Sequence, residues 1–245
     1  MNPSTLNTRI LRFSRTLPLS IGLLAAAALP AHAVTPFIEA FNGTSLNAAR
    51  WSLFEGDELA PSGGKLRFTD PKGGDDTNAA IVLRGIEPKY NESWEVIVEA
   101  VNTTQLDSWT YIGVAVLNAA DMDDYMGLEI AAESGGNLIL SDFGTNGEEA
   151  ADVEKAISSS KASLRVTFSS VTKVITFWYR ATSGDAWKKH ATFSTNNKVG
   201  SMRRGNWQMS NASGKFRIAL YAGSEGAAVP SGKMSLDNFQ IRNLK

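Results

Sequence analysis

The chain has 245 residues, 43% of them apolar, with no cysteine, 21 glycines and a formal net charge of −1. These figures exclude a disordered chain, a collagen and a disulfide scaffold. The balance of 24 basic and 25 acidic residues carries no electrostatic footprint for nucleic acid.

Residues 1–33 open with Arg9, Arg12 and Arg15 and no acid. The apolar run Leu19 to Leu29 and then Pro30-Ala31-His32-Ala33 follow. This is the order of a secretory signal, with an h-region too short to span a bilayer comfortably and an A-x-A cleavage site. The sequence predicts cleavage after Ala33, which removes three arginines and leaves residues 34–245 mildly acidic, at a charge of about −4. Export of a chain without cysteine points to a bacterial periplasmic or secreted protein. No later apolar run is long enough to cross a membrane, so membrane insertion is not expected once the signal is removed.

Beyond the signal the pattern has a period of two. Trp94, Val96 and Val98 alternate with Glu95 and Glu99, and the alternation recurs in Leu164–Phe168, Val174–Tyr179 and Phe216–Leu220. Glycine-rich turns at Pro61–Gly64, Lys72–Asp75, Ser134–Asn137, Thr182–Asp185 and Ala212–Gly214 separate the runs. About eleven to thirteen strands are expected, in one all-β domain over 34–245 built as a two-sheet antiparallel sandwich. Gly147–Ser158, with acids early and Lys155 late, is the one stretch of helical character.

Strand parity separates core from surface. Ile112, Val114 and Val116, then Met126, Leu128 and Ile130, then Phe216, Ile218 and Leu220 form apolar rows. Trp109, Tyr111, Tyr125, Glu129, Arg165, Arg217 and Tyr221 therefore face outward. Aromatic planes beside charged hydrogen-bonding groups suit a sugar, whose C–H faces stack and whose hydroxyls need partners. The same set also suits an ordinary aromatic ladder beside Glu–Arg pairs on a solvated sheet.

Several segments add a resemblance. Phe37-Ile-Glu-Ala-Phe-Asn-Gly-Thr-Ser-Leu46 with Trp51, then Gly63-Gly-Lys-Leu-Arg-Phe68, resemble the opening strands of concanavalin A-like (laminin G-like) lectin and glucanase domains. Phe216–Tyr221 and Leu236–Ile241 are similar to the last two strands of that group, and Leu164–Phe168, Ile175–Arg180 and Gly184–Trp187 to its hairpin ending in tryptophan. The resemblance implies a jelly roll whose concave face binds or cleaves glycans, though a fold by itself does not fix a function. It also implies a structural calcium held by Asp237 with Glu39 and Gly43.

Glucanases of this group carry glutamates around an aspartate in one strand, and Glu129-Ile-Ala-Ala-Glu133 departs from that pattern by placing Ala131 in the middle. Glu129 and Glu133 are thus weak catalytic candidates, because four residues of regular strand separate Cα atoms by about 13 Å and a retaining pair needs about 5 to 5.5 Å between carboxyls. The expectation is an exported carbohydrate-binding protein without catalysis. A glycoside hydrolase or polysaccharide lyase, and an envelope adhesion module, are the alternatives.

Overall fold

A computed structural model describes residues 33–105, 107–145, 148–195 and 207–244. The expected export segment, except Ala33, lies outside them. In chain order the strands are β1 (Phe37–Glu39), β2 (Trp51–Glu55), β3 (Leu59–Ser62), β4 (Lys65–Asp70), β5 (Asp76–Leu83), β6 (Trp94–Asn102), β7 (Thr110–Asn118) and β8 (Tyr125–Glu133). They continue with β9 (Gly136–Thr145), β10 (Glu148–Ile157), β11 (Lys161–Ser169), β12 (Val174–Arg180), β13 (Lys188–Ser194), β14 (Phe216–Glu225) and β15 (Val229–Asn243). One sheet runs β13-β12-β11-β6-β15-β4-β3, with β1 also on β15, and the other runs β10-β9-β8-β7-β14-β5-β2. Every pairing is antiparallel. The expected two-sheet sandwich is the observed architecture.

The apolar rows meet between the sheets. Trp94 of β6, Phe168 of β11 and Phe216 of β14 are fully buried, with the Phe168 and Phe216 rings 4.7 Å apart edge to face. Phe37, Phe41, Trp51 and Phe239 form a second aromatic group where β1 joins β15. Each fully buried ring of this kind contributes about 1.5–3 kcal/mol through loss of water contact.

The expected helix at Gly147–Ser158 is instead β10. It pairs with β9 from Thr145 to Asn137, with a bulge between Glu149 and Ala151. The acid-first charge order suits a helix end, but the stretch lacks an apolar stripe to bury, whereas β9 offers a free ladder. At a sheet edge those charges discourage pairing with another chain.

A buried polar network ties the sheets at one end. Asn102, at the end of β6, donates from Nδ2 to the Thr110 carbonyl (3.1 Å), Thr110 Oγ1 (3.2 Å) and the Ile130 carbonyl (3.4 Å) across the core. Its Oδ1 accepts from the Thr104 amide and hydroxyl. At the lateral opening His190 Nε2 of β13 donates to the Val153 carbonyl of β10 at 3.0 Å.

Two outcomes are expected. Asn102→Ala strands several buried donors and acceptors, each costing about 1–3 kcal/mol, and lowers stability by about 2–4 kcal/mol in urea unfolding. Burial, and then the charge of Lys155, hold the His190 pKa below its ordinary 6.5 against the opposing pull of the Val153 hydrogen bond. The unfolded chain therefore takes up this proton first, and stability falls as pH drops below 6.5 until the folded-state pKa is passed. His190→Gln removes that component, so unfolding curves collected through this window separate wild type from variant.

Candidate functional site

Register places Trp109, Tyr111, Tyr125, Glu129, Arg217 and Tyr221 on the outer face of the seven-stranded sheet. Tyr221, Gly113 and Glu129 are lateral neighbours across β14, β7 and β8, as are Gly223, Tyr111 and Ala131 one row away. Arg165 does not join them. It stands on β11 in the other sheet, where its Nε and Nη2 both lie 2.6 Å from Glu95 Oε2, while Arg242 Nε lies 2.6 Å from Oε1. Parity fixes which face of its own sheet a residue takes, but not which of two sheets the strand enters.

The rings on this face lie down rather than stand up. A methyl group at Gly144 would strike the Tyr125 ring, and one at Gly223 would strike Tyr111. At Gly127 it would meet Asp142 and the Tyr221 hydroxyl, and at Gly113 the backbone of β8. Glycine thus provides the bed on which each tyrosine is laid. The result is burial where the alternation predicts a solvated surface: Tyr111 is 8% exposed, Tyr125 2%, Tyr221 6% and Glu129 2%. They form an apolar cluster separate from the main core, with Phe54, Trp109, Met122 and Leu138 half-buried around it.

At its centre the Tyr221 hydroxyl donates to Glu129 Oε2 at 2.8 Å. Burial, and then the charges of Glu129 and Asp142, push the Tyr221 phenol well above its ordinary pKa, so it stays a neutral donor. Tyr111 donates to Asn78 Oδ1 of β5, and its ring lies 6.0 Å from that of Tyr221. A narrow slot lined by Phe54, Ala115, Tyr125, Gly127, Asp142 and Tyr221 has a volume of about 10 Å³, near that of one water. A larger cavity of about 450 Å³ lies at the edge of the other sheet, lined by Asp57, Glu58, Arg67, Asp70 and Lys72.

Sequence reasoning passed over Asp142 and Asn78. Asp142 alternates with Phe143, which is in the core, so the same parity rule could have placed it outward. Glu133, by contrast, is exposed at the end of β8, opposite Gly136. Neither flanking strand shows a register shift between it and Glu129, so no bulge closes the distance between the two carboxyls.

Of the residues that the resemblance implies for calcium, Glu39 and Asp237 make hydrogen bonds within the chain. Glu39 Oε1 accepts from the Phe41 amide (3.0 Å) and Oε2 from Trp51 Nε1 (3.4 Å), while Asp237 Oδ1 accepts from the Asn238 amide (2.7 Å). Gly43 lies in a bend between β1 and β2. Among the described residues no three Asp, Glu or His side chains converge on one point. Register sets Glu39 of β1 opposite Phe239, two residues beyond Asp237 on β15.

No known family pattern and no curated protein matches the sequence. Solved structures do. One belongs to work on endo-acting O-glycanases that members of the human gut microbiota express to initiate mucin breakdown; it is 14% identical, covers 85% of this chain and 99% of its own, and has a TM-score of 0.60. Lectin II from Ulex europaeus is 11% identical, with 86% and 99% covered and a TM-score of 0.58. The endo-beta-1,3(4)-glucanase SCLam is 10% identical, with 89% and 94% covered and a TM-score of 0.58. Identities this low speak for fold alone, and the fold they share with this chain is the concanavalin A-like β-sandwich.

Proposed function

We propose that this protein, exported and cleaved after Ala33, binds a glycan on the outer face of its seven-stranded sheet without cleaving it. The observation that carries this reading is the Tyr221–Glu129 hydrogen bond: a buried carboxylate and phenol on the sheet face that the main core does not need. A buried carboxylate is costly, and a fold stabilised only by its interior has no use for one there. Laid-down tyrosines keep the floor low, so that a flat ring can approach. Trp109 and Phe54 at the rim offer half-exposed planes for sugar C–H groups. Asp142 and Asn78 offer oxygen acceptors to hydroxyls, and Arg217, about a third exposed, offers donors. Lectin and glucanase relatives in fold support the substrate class.

Affinity electrophoresis of residues 34–245 in gels containing neutral polysaccharides tests the reading. Retardation by at least one is expected. Trp109→Ala should abolish it, and Tyr221→Phe should weaken binding about tenfold, the worth of one buried hydrogen bond of about 1.4 kcal/mol. No retardation by any glycan, or retardation equal in wild type and both variants, overturns it.

One observation favours a second reading, glycoside hydrolysis: the carboxylates of Glu129 and Asp142 both act on the same Tyr221 hydroxyl. A hydrolase would release reducing ends from a glucan or galactan and lose that activity in both Glu129→Gln and Asp142→Asn. A binder releases none.

A further inference from the structure

The opposite face of the sandwich carries a different surface. On β12, Phe177 and Tyr179 point into the core, so Trp178 and Arg180 point outward. Trp178 is half-buried, donates from Nε1 to Thr167 Oγ1 at 3.2 Å, and stands opposite Arg165 on one side and Lys189 on the other. Trp187, before β13, is also half-exposed and covers two guanidiniums: Arg180 Cζ lies 4.4 Å and Arg165 Cζ 5.5 Å from its ring centroid.

The charges of this surface are unequal. Glu95 is buried and shared by Arg165 and Arg242. The next carboxylate on the face, Glu99, accepts from Asn238 Nδ2 at 3.0 Å, and Asp185 closes its own turn on the Thr182 amide at 2.9 Å. Among the described residues Arg180 has no ion pair and no side-chain hydrogen bond, and its Nε is shielded from solvent without a partner. A guanidinium is recognised best by a planar carboxylate taken two N–H groups at a time, as Arg165 already takes Glu95.

We propose that this face is a second binding site, for a carboxylate-bearing polysaccharide. Arg180 pairs with a uronate carboxylate while Trp187 and Trp178 stack on the sugar faces. The platform lies on an antiparallel sheet, whose strands run alongside one another and suit an extended ribbon-like chain. Two aromatic planes and a guanidinium without an ion pair among the described residues match a polymer that presents both a ring face and a carboxylate on each residue. In a mildly acidic protein, clustering Arg165, Arg180, Arg242 and Lys189 on one face gives the local field the sign that draws such a polymer in.

The test is affinity electrophoresis of residues 34–245 in polygalacturonate, with dextran sulfate and duplex DNA as other polyanions. Expected are strong retardation by polygalacturonate, reduced at least tenfold in Arg180→Gln and in Trp187→Ala, and a partial loss in Arg180→Lys, which keeps the charge but not the fork. Arg180→Gln breaks no ion pair and loses only a half-exposed contact with the Trp187 ring, so it should melt within a few degrees of wild type; if it fails to fold, Trp187→Ala and Arg180→Lys carry the comparison. Failure of polygalacturonate to retard the protein overturns the proposal, as does equal retardation of wild type and all variants. Retardation by dextran sulfate or DNA as strong as by polygalacturonate also overturns it, by reducing the face to a general cation patch. None of these outcomes bears on neutral glycans at the Tyr221 face.

Discussion

Burial of one side-chain row from each strand between the two sheets is the interaction on which the rest of the molecule depends. Trp94, Phe168 and Phe216 meet there in direct ring contact, and no crosslink shares the work, because the chain has no cysteine. Once the inward rows are committed, the period of two assigns every remaining side chain to one of two outer faces. Chemistry is confined to what those outward rows hold.

The two outer faces use their freedom in opposite ways. On the seven-stranded sheet, small residues alternate with tyrosines, and polar atoms sink below the surface until Glu129 and Tyr221 must satisfy each other. The eight-stranded sheet keeps its charges high: one buried carboxylate, Glu95, anchors the guanidiniums of Arg165 and Arg242, and Arg165 also lies against the Trp178 and Trp187 rings. Asn102 connects the layers without disturbing either face, because its hydrogen bonds run through the end of the core.

Much of this was legible in the sequence because alternation is a local signal. Tyr111 against Ile112, Glu129 against Leu128 and Tyr221 against Leu220 fell on the expected sides. Depth was not legible, because alternation gives direction only; burial of the tyrosines follows from glycines on other strands that leave room for them, Gly144 for the Tyr125 ring, Gly223 for Tyr111 and Gly127 for the Tyr221 hydroxyl. Sheet membership was hidden for the same reason, and Arg165 was grouped with residues on the far side of the protein. Trp178 and Trp187 were visible as marks of fold, yet the meeting of Trp187 with Arg180 and Arg165 depends on how the loop before β13 folds back. The strand at β10 was masked by a charge order that reads as a helix.

The tyrosine-on-glycine bed constrains how this groove can change over generations. Elsewhere on a protein exterior a single substitution is cheap, but here a glycine cannot gain a side chain while its tyrosine stays, and a lost tyrosine leaves its glycine bare. Remodelling of the slot therefore proceeds by coupled exchanges across strands. Descendants with a new ligand preference should differ by pairs of positions such as 144 with 125 or 223 with 111, and rarely by one member alone.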